Sequence, residues 1–599
     1  MASAYEGVKN YLQEHYLTAA AGGRAGRQEE IRTTPLFSLA VKYHVDHAED
    51  EVDTSSESDA SSQSADNSKS SESASSSKEP SSASSDSDPA AESSDENSES
   101  SVPVSSSQQS SSSSAQSSSE RSSSGEDSSA EFSSGQTSSE NPSSGQSSSA
   151  QSPVRASSSS GDTSAIDKAV LSQYGLLGFN VGGSESIDQC EPIMLNVNAP
   201  NSAFICGSQG SGKSYTLSAI LENCLLKDTT VGSINQPVAG VVFHYDVASS
   251  SSIAEVAHLC SLGIQVNVLV SQSNEHALRK AYERIGSGDN KPTVRPLLLR
   301  SSDLSVDRMN KLMALAEKEG PPPLYMEIIQ RILRRMAIEN TTAKSFDYKR
   351  FHALLDQENL SREQRAPMNL RFSLLESFMH PDDVPYRANE TWRPKPIGNN
   401  RLFDLKPGSL NIIDLSDPFV DAATACLLFD ICLGLVKNQR PPSGLIIALD
   451  EAHKFMNDSS AAKTFTGGLL TTIREQRHNA TRVVIATQEP TISTDLLDLC
   501  SVSIVHRFTS PAWFAAILGH LGGASRMLKD GEEERDLFGE IVELDVGESL
   551  VFCPGAFVTM IADEDGENRR AGELGPNAMK MKTRKRMGND GGMSVLASG

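Results

Sequence analysis

The octapeptide GSQGSGKS, residues Gly207 to Ser214, constrains the fold of this chain more than any other feature of its sequence. The apolar run AFIC ends just before it, and the helical pattern SYTLSAILENCLL begins at its last residue. Gly207, Gly210 and Gly212 permit backbone conformations that a Cβ atom would block, so successive N–H groups can point inward around phosphate oxygens. The pattern G-x-x-x-x-G-K-[ST] in this context predicts a strand, a P-loop and a helix in succession.

Each position of this loop has a predicted role in binding ATP. Lys213 is expected to reach the β- and γ-phosphates, and the Ser214 hydroxyl is expected to take a Mg²⁺ position. The N-terminal end of the following helix adds its positive partial charge. The predicted cofactors are ATP and Mg²⁺, and the predicted nucleotide-binding residues are Gly207, Ser208, Gln209, Gly210, Ser211, Gly212, Lys213, Ser214 and Tyr215.

Short apolar runs alternate with helical stretches from residue 164 onward, and several of these runs are apolar throughout. Such runs are typical of central strands in a parallel sheet that is covered on both faces. Residues from about 303 to 380 interrupt the alternation with helical patterns such as MEIIQRILRRMA. We predict an α/β fold: a RecA-like P-loop core with a mainly parallel sheet flanked by helices, a helical insertion, and a long disordered Ser-rich N-terminal region. Strands are expected at 202–206, 240–245, 265–270, 294–299, 409–415, 444–449, 482–486 and 501–508.

An acidic pair, Asp450-Glu451, ends the apolar run in GLIIALDEAHKF. A carboxylate at the end of such a strand can hold Mg²⁺ through water, which is the predicted role of Asp450. The adjacent Glu451 can then act as the general base for the water that attacks the γ-phosphate. The alternative is an acidic pair that caps the next helix.

Two further strand ends carry polar side chains that we predict to be catalytic. Gln488 ends RVVIATQ, on the strand expected beside the P-loop strand, where its amide can sense the γ-phosphate or orient water. Asp246 ends VVFHYD and can reach the metal or the attacking water. The alternatives are a satisfied strand-end amide for Gln488 and a turn cap for Asp246.

A cation on the transition-state charge assists hydrolysis, and a neighbouring subunit often supplies it. Arg474 and Arg477 in the helical stretch TTIREQRH are the candidates, and Arg507 at the end of SIVHR is a weaker third. A surface salt bridge is the alternative role for these arginines. The letters DEAH do not indicate a helicase, because ATQ follows instead of S-A-T and 237 residues separate Lys213 from Asp450.

Together these residues resemble the HerA/FtsK superfamily of P-loop ATPases, in particular its HerA-like branch. The resemblance covers about residues 192–554 and is carried by GSQGSGKS, FHYD, SLNIIDLS, LDEAHKF, IREQRH and VVIATQEP. It places the family's strand aspartate on Asp246, its strand-end glutamine on Gln488, and its arginine that acts in trans on Arg477. The residues between the serine tract and the loop are too few for a HerA-type N-terminal β-barrel. The tract is foreign to the bacterial and archaeal members of the family, and its composition suggests a eukaryotic, fungal member.

The resemblance implies a homo-oligomer, a hexameric ring, and in several family members the pumping of double-stranded DNA. Nucleic acid is therefore a candidate partner, although the chain as a whole has a formal net charge of -25 and lacks an overall basic footprint. We predict a P-loop ATP hydrolase that acts as a ring-forming motor. The alternative is an ATP-dependent switch or scaffold without nucleic-acid motor activity. If the protein is a motor, the basic cluster of Arg331, Arg334 and Arg335 is a candidate for the lining of its channel.

The residues outside this core divide into segments by composition. Residues 51–165 are low in complexity, and residues 51–160 are about half serine with 18 acidic and 4 basic residues. So few apolar side chains cannot offset chain entropy, which predicts a disordered region that binds partners or is phosphorylated by acidophilic kinases, or that serves as a solubilising tether. The predicted domains are 1–50 of unknown role, 51–165 disordered, 166–567 the P-loop ATPase domain, and 568–599 a disordered basic tail.

The cysteines, the hydropathy and one basic run of the chain bear on its location in the cell. The eight cysteines lie mostly in apolar runs without C-x-x-C spacing, so we expect buried thiols in a reducing compartment and no zinc site. No apolar run of membrane-spanning length is present. We expect an intracellular protein, in the nucleus or the cytoplasm. The run KMKTRKR at 580–586 is a nuclear import signal, a phosphate-binding patch or a solvated basic tail.

Overall fold

The computed structural model describes residues 28–47, 170–183, 186–247, 252–286, 288, 290–313, 324–340, 345–385, 401–521, 537–562 and 569–589. The region 51–165, predicted to be disordered and open to phosphorylation, lies outside these residues. None of the helices in the described ranges has the length and hydrophobicity of a membrane span. The eight cysteines are free thiols, and all except the partly buried Cys500 are buried.

A single mixed sheet organises the described chain. Its strands are β1 (Leu36–Ser38), β2 (Tyr174–Asn180), β3 (Glu191–Asn196), β4 (Ser202–Cys206), β5 (Gly232–Ser233), β6 (Ala239–His244), β7 (Val266–Val270), β8 (Thr293–Pro296), β9 (Leu410–Asp414), β10 (Leu445–Leu449), β11 (Thr481–Thr487), β12 (Val502–His506), β13 (Glu548–Phe552), β14 (Phe557–Ala562), β15 (Arg569–Glu573) and β16 (Ala578–Thr583).

Helices cover this sheet. They are α1 (Gln28–Thr33), α2 (39–47), α3 (Lys213–Leu225), α4 (Glu275–Tyr282), α5 (Val306–Met313), α6 (Leu324–Glu339), α7 (Tyr348–Asp356), α8 (Arg362–Ser377), α9 (Ala422–Asn438), α10 (Ser460–Arg474), α11 (Gln476–Asn479), α12 (Thr494–Leu499), α13 (Pro511–Leu518) and α14 (Leu537–Glu543). Short 3-10 helices lie at Ile187–Gln189, Glu255–Leu262, Ser301–Asp303, Ala452–Lys454 and Pro490–Ile492.

The parallel part of the sheet has the strand order β12-β4-β11-β10-β6-β9-β7-β8. Strands β4, β6, β7, β9, β10, β11 and β12 are buried along their whole length. Alternate side chains of one strand enter different cores: Val241 and Phe243 lie in one hydrophobic cluster and Val242 in the other. Helices therefore cover both faces, with α9, α10 and the insertion helices α5 to α8 contributing to the first cluster and α3 to the second.

This arrangement confirms the predicted α/β fold class with a mainly parallel sheet and a helical insertion. The strand before the glycine loop, β4, lies between β12 and β11, as the RecA-like core requires. Because the strands are parallel, their carboxyl ends meet at one edge. Registers such as Thr487 beside Cys206 and Leu449 beside Phe243 place those strand ends level with one another.

A second, mostly antiparallel part of the sheet, which we call the wing, continues from β12 in the order β13-β16-β2-β3-β1-β14-β15. Its strands come from three distant parts of the chain. Phe37 in β1 pairs with Met194 in β3 and with Phe557 in β14. These three side chains share a small core with Ile31, Val41, Val45 and Leu171.

The prediction that residues 568–599 are a disordered basic tail is wrong for residues 569–589, which contain strands β15 and β16 of the wing. Residues 578–583 form β16, which pairs with both β13 and β2. Arg584 and Arg586 are only 4% and 6% exposed. The basic run is therefore largely folded into the protein, and a nuclear import signal would need these side chains to be accessible.

Candidate functional site

The glycine loop connects β4 to α3 at the carboxyl edge of the parallel strands. Gly207 and Gly212 have φ values of 149° and 117°, which favour glycine over any L side chain. A Cβ atom at Gly207 would lie 2.7 Å from the Cβ atom of His506, so the loop also passes too close to β12 for a side chain. The Ser208 N–H donates to the carbonyl of Arg507 over 2.9 Å, which fixes the loop against the end of β12.

Lys213 begins α3 and is 5% exposed. Its Nζ donates to the carbonyl oxygen of Ser208 over 3.0 Å, so the ammonium lies within the curve of the loop. Burial lowers the pKa of Lys213 and outweighs the opposing charges of Glu451 and Asp450. The loop lysine and the acidic pair are thus electrostatic neighbours, although 237 residues separate Lys213 from Asp450 in the sequence.

Asp450 directly follows β10 and is 3% exposed. Its Oδ2 lies 3.4 Å from Nδ1 of His244, the last residue of the neighbouring β6. Burial lowers the pKa of His244, but the carboxylates of Asp450 and Asp414 outweigh this and raise the pKa overall. Oδ1 of Asp450 is buried and has no hydrogen-bond partner in the described part of the chain. A buried carboxylate oxygen without a donor fits an aspartate that binds a hydrated Mg²⁺.

Glu451 has a φ of 52°, a left-handed conformation that is uncommon for a residue with a side chain. Its Oε2 accepts a hydrogen bond of 3.0 Å from Nε2 of Gln488, which follows β11. Nδ1 of His453 lies 3.4 Å from the same oxygen. Burial lowers the pKa of His453 despite the charges of Glu451 and Glu489, so the imidazole is held in its neutral form. Because Nδ1 of this neutral ring accepts from the backbone N–H of Gln488 over 3.5 Å, the hydrogen bond that orients the Glu451 carboxylate comes from the Gln488 amide.

Asp246 lies at the same edge, after β6, and is 8% exposed. Its Oδ2 accepts from Nζ of Lys454 over 2.9 Å, and its backbone N–H donates to the Ser416 hydroxyl. Asp246 is therefore near the other predicted residues. Its carboxylate neutralises Lys454, and a catalytic role for Asp246 stays a prediction.

The structure does not bring Arg474 and Arg477 to this edge. Both are exposed and lie at the end of α10 and in α11, just before β11 begins. The glycine loop lies at the opposite end of β11. The seven residues of this strand span on the order of 20 Å. At this distance neither arginine reaches the glycine loop of its own chain. Arg507, in contrast, is exposed directly beside the loop.

His506 is a residue of this site that the sequence analysis missed. It is fully buried, its Nδ1 lies 2.8 Å from the carbonyl of Glu548, and its Nε2 lies 3.0 Å from the Thr216 hydroxyl in α3. Burial lowers the pKa of His506 to about 4, so the ring is neutral. Because the carbonyl only accepts, Nδ1 carries the proton and Nε2 accepts from Thr216. The signal available in the sequence was a histidine at the end of the apolar run SIVHR.

No protein-family model and no curated protein matches the chain. Solved structures similar to it include VirB4 of Thermoanaerobacter pseudethanolicus, at 12% identity and a TM-score of 0.41, covering 69% of this chain and 96% of VirB4. The genome packaging NTPase B204 of Sulfolobus turreted icosahedral virus 2, in complex with AMPPCP, is 8% identical with a TM-score of 0.24, covering 62% and 97%. The cytoplasmic domain of the type VII secretion ATPase EccC of Thermomonospora curvata is 12% identical with a TM-score of 0.24, covering 69% and 28%.

Proposed function

We propose that this chain binds ATP with Mg²⁺ in the Gly207–Ser214 loop and hydrolyses it. The observation that carries the proposal is the 3.0 Å hydrogen bond from Gln488 to Glu451 beside the buried Lys213. A general base must be oriented toward the water that it activates, and a phosphate-binding lysine must lie within the same site. Three parallel strands bring these residues together at one edge.

In this proposal the N–H groups of the loop and the Lys213 ammonium bind the β- and γ-phosphates. Ser214, which is partly exposed at the start of α3, would hold Mg²⁺ together with Asp450, the latter through water. The ion would neutralise charge that develops on the phosphates. Glu451 accepts a proton from water as the water oxygen bonds to the γ-phosphorus. The bond from that phosphorus to the bridging oxygen breaks, and ADP leaves with this oxygen while inorganic phosphate forms.

Arg477 is the proposed cation for the transition state, supplied by a neighbouring copy. Its position at the sheet edge opposite its own loop supports a role in trans. A ring of copies, as the resemblance to the HerA/FtsK superfamily implies, would place the Arg477 edge of one subunit against the Glu451 edge of the next. Asp246 is proposed to assist at the metal or the water, once Lys454 is displaced from it.

We further propose a ring-forming motor as the use of this hydrolysis, with nucleic acid as its candidate polymer. One observation favours the alternative, an ATP-dependent switch or scaffold. The basic patch on α6 is partly neutralised, because Arg331 pairs with Glu358 over 2.6 Å and Arg335 with Glu339 over 2.9 Å. Less net positive charge is then available for a phosphate backbone.

The deciding experiment measures the ATP hydrolysis rate of the full chain with and without double-stranded DNA, with oligomer mass determined on the same sample. A motor predicts a rate that rises with DNA and a ring-sized mass. A slow rate that DNA leaves unchanged supports the switch. Absence of hydrolysis, with Lys213→Ala protein binding ATP as tightly as wild type, contradicts the proposed function itself.

A further inference from the structure

The segment 583–588, which begins at the last residue of β16, runs along one face of the loop helix α3. This face is formed by Tyr215, Ser218 and Glu222, which are three and four residues apart and therefore neighbours on a helix. We call the segment the C-terminal strap. Thr583 adds a contact on the adjoining face, where its hydroxyl lies 2.9 Å from that of Thr216.

The strap is held to α3 by a buried ion pair. Nη1 of Arg584 lies 2.7 Å from Oε2 of Glu222, and the two side chains are 4% and 0% exposed. The backbone N–H groups of Met587 and Gly588 donate to the same carboxylate over 3.0 and 3.1 Å. Asn223 accepts a further bond from the Arg584 guanidinium. A buried charge pair with this many hydrogen bonds is compensated, so the strap has a defined position on the helix.

Arg586 of the strap fixes both the ring and the hydroxyl of Tyr215. Its guanidinium lies over the ring, 4.5 Å from Cζ to the centroid, in a cation–π contact. Its backbone N–H donates to the Tyr215 hydroxyl over 2.7 Å. The guanidinium is itself held by Glu255, 2.7 Å away, and by the Ser218 hydroxyl, 3.1 Å away.

Tyr215 is only partly buried and directly follows Ser214. It therefore stands where the nucleotide-binding loop becomes helix, and the strap determines which way its ring can face. We propose that Arg586 is a positioning residue for ATP binding that acts through Tyr215. This inference rests on the proposed function, and it adds that residues near the carboxyl end of the described chain set the affinity for nucleotide.

The test is a double-mutant cycle on the full chain, with the equilibrium affinity for the non-hydrolysable analogue AMPPCP measured by calorimetry. Arg586→Ala and Tyr215→Ala are each expected to weaken binding about fivefold to tenfold, the scale of one partly buried cation–π contact. The double variant is expected to bind no more weakly than Tyr215→Ala. Arg586→Lys, which keeps a cation for Glu255 and for the ring, is expected to restore most of the affinity.

Lys585→Ala is the matched control, because it removes an exposed cation from the adjacent position of the strap without changing Tyr215 or Arg586. It is expected to leave the affinity within twofold of wild type. Unfolding temperatures measured without nucleotide separate a loss of stability from a loss of affinity. Should Arg586→Ala fail to fold, Arg586→Gln retains length and hydrogen bonding while removing the cation, and is expected to weaken binding in the same way.

Two results overturn the inference: unchanged affinity in the folded Arg586 variant, or losses in the two single variants that multiply in the double variant. Lys213→Ala distinguishes this failure from a failure of the proposed function. If Lys213→Ala abolishes binding while the Arg586 variant binds normally, only the role of the strap is wrong. If Lys213→Ala binds AMPPCP as tightly as wild type, the loop is not the nucleotide site and both proposals are wrong.

Discussion

The side-chain amide of Gln488 donates to the Glu451 carboxylate, with 3.0 Å between Nε2 and Oε2. The two residues follow neighbouring parallel strands, β11 and β10, whose register carries them to the same edge of the sheet. An amide that donates to one carboxylate oxygen leaves the other oxygen available to a water molecule. This pairing supports the proposal that Glu451 is the general base.

Glu451→Gln is expected to bind ATP with near wild-type affinity and to lose turnover by at least 100-fold. The substitution preserves size and hydrogen bonding but removes the proton acceptor, and a positioned general base typically contributes about 10²–10⁴-fold. Steady-state hydrolysis and nucleotide affinity measured on the same preparation check this expectation.

Glu489→Gln is the matched control. This carboxylate is exposed and directly follows Gln488 at the end of β11. It is expected to retain turnover within a few-fold of wild type, because among the described residues its side chain makes no hydrogen bond that orients a predicted catalytic residue. Normal turnover in Glu451→Gln, or an equal loss in both variants, would remove the catalytic assignment of Glu451.

The parallel core could be predicted from the sequence because each of its strands is a local signal. The expected strand at 202–206 matches β4, and the expected 444–449 and 482–486 match β10 and β11 within one residue at each end. A strand buried on both faces must be apolar throughout, so it is visible without knowledge of its neighbours. The polar residue that follows such a strand then lies at the carboxyl edge of the sheet, next to the glycine loop.

The wing could not be predicted in this way, because its strands are short, amphipathic and distant in sequence. Leu36–Ser38 has no strand signal of its own, and its pairing with β3 and β14 depends on residues more than 150 positions away. Residues 579–582 alternate methionine and lysine, and their composition alone predicts a basic tail. That this stretch is folded becomes evident only in the structure, where Glu548 pairs with the partly exposed Lys580 and the buried Glu222 pairs with Arg584, just after β16.

Arg477→Ala and Arg507→Ala separate a cation supplied in trans from one supplied in cis. Arg477→Ala is expected to bind ATP and to lose turnover by about 10³-fold or more, the scale known for a transition-state arginine. Mixing Arg477→Ala with Glu451→Gln protein is expected to restore part of the activity, because some interfaces then combine an intact arginine with an intact glutamate.

Arg507→Ala serves as the comparison for Arg477→Ala, because Arg507 is exposed beside its own loop. A loss in Arg507→Ala that mixing with Glu451→Gln does not rescue would assign the cation to the same chain. Rates measured across mixing ratios distinguish the two arrangements.

His506 predicts a pH dependence of stability. Its pKa is lowered from 6.5 to about 4 in the folded protein because the ring is fully buried. Between these values the unfolded chain binds the proton and the folded chain does not, so acidification favours unfolding. The contribution of His506 is complete above pH 6.5, and about 3 kcal/mol of it is lost as the pH falls to 4.

His506→Gln removes this titration while retaining an amide that can bond Thr216 and the Glu548 carbonyl. Denaturant unfolding of both proteins from pH 7 to pH 4.5 checks the expectation. The difference in free energy of unfolding between wild type and His506→Gln should shrink as the pH falls. A constant difference across this range would mean that His506 is not held neutral by burial.

Arg584→Met is expected to destabilise the protein by about 3–5 kcal/mol, because it leaves the buried Glu222 carboxylate without its cation. Lys585→Met is the control from the adjacent position, where the side chain is exposed, and it is expected to change stability by less than about 0.5 kcal/mol. The double variant Glu222→Met with Arg584→Met is expected to recover part of the loss, since it removes the unpaired charge but also removes the acceptor of the Met587 and Gly588 N–H groups. Equal effects of Arg584→Met and Lys585→Met on denaturant midpoints would contradict the buried ion pair.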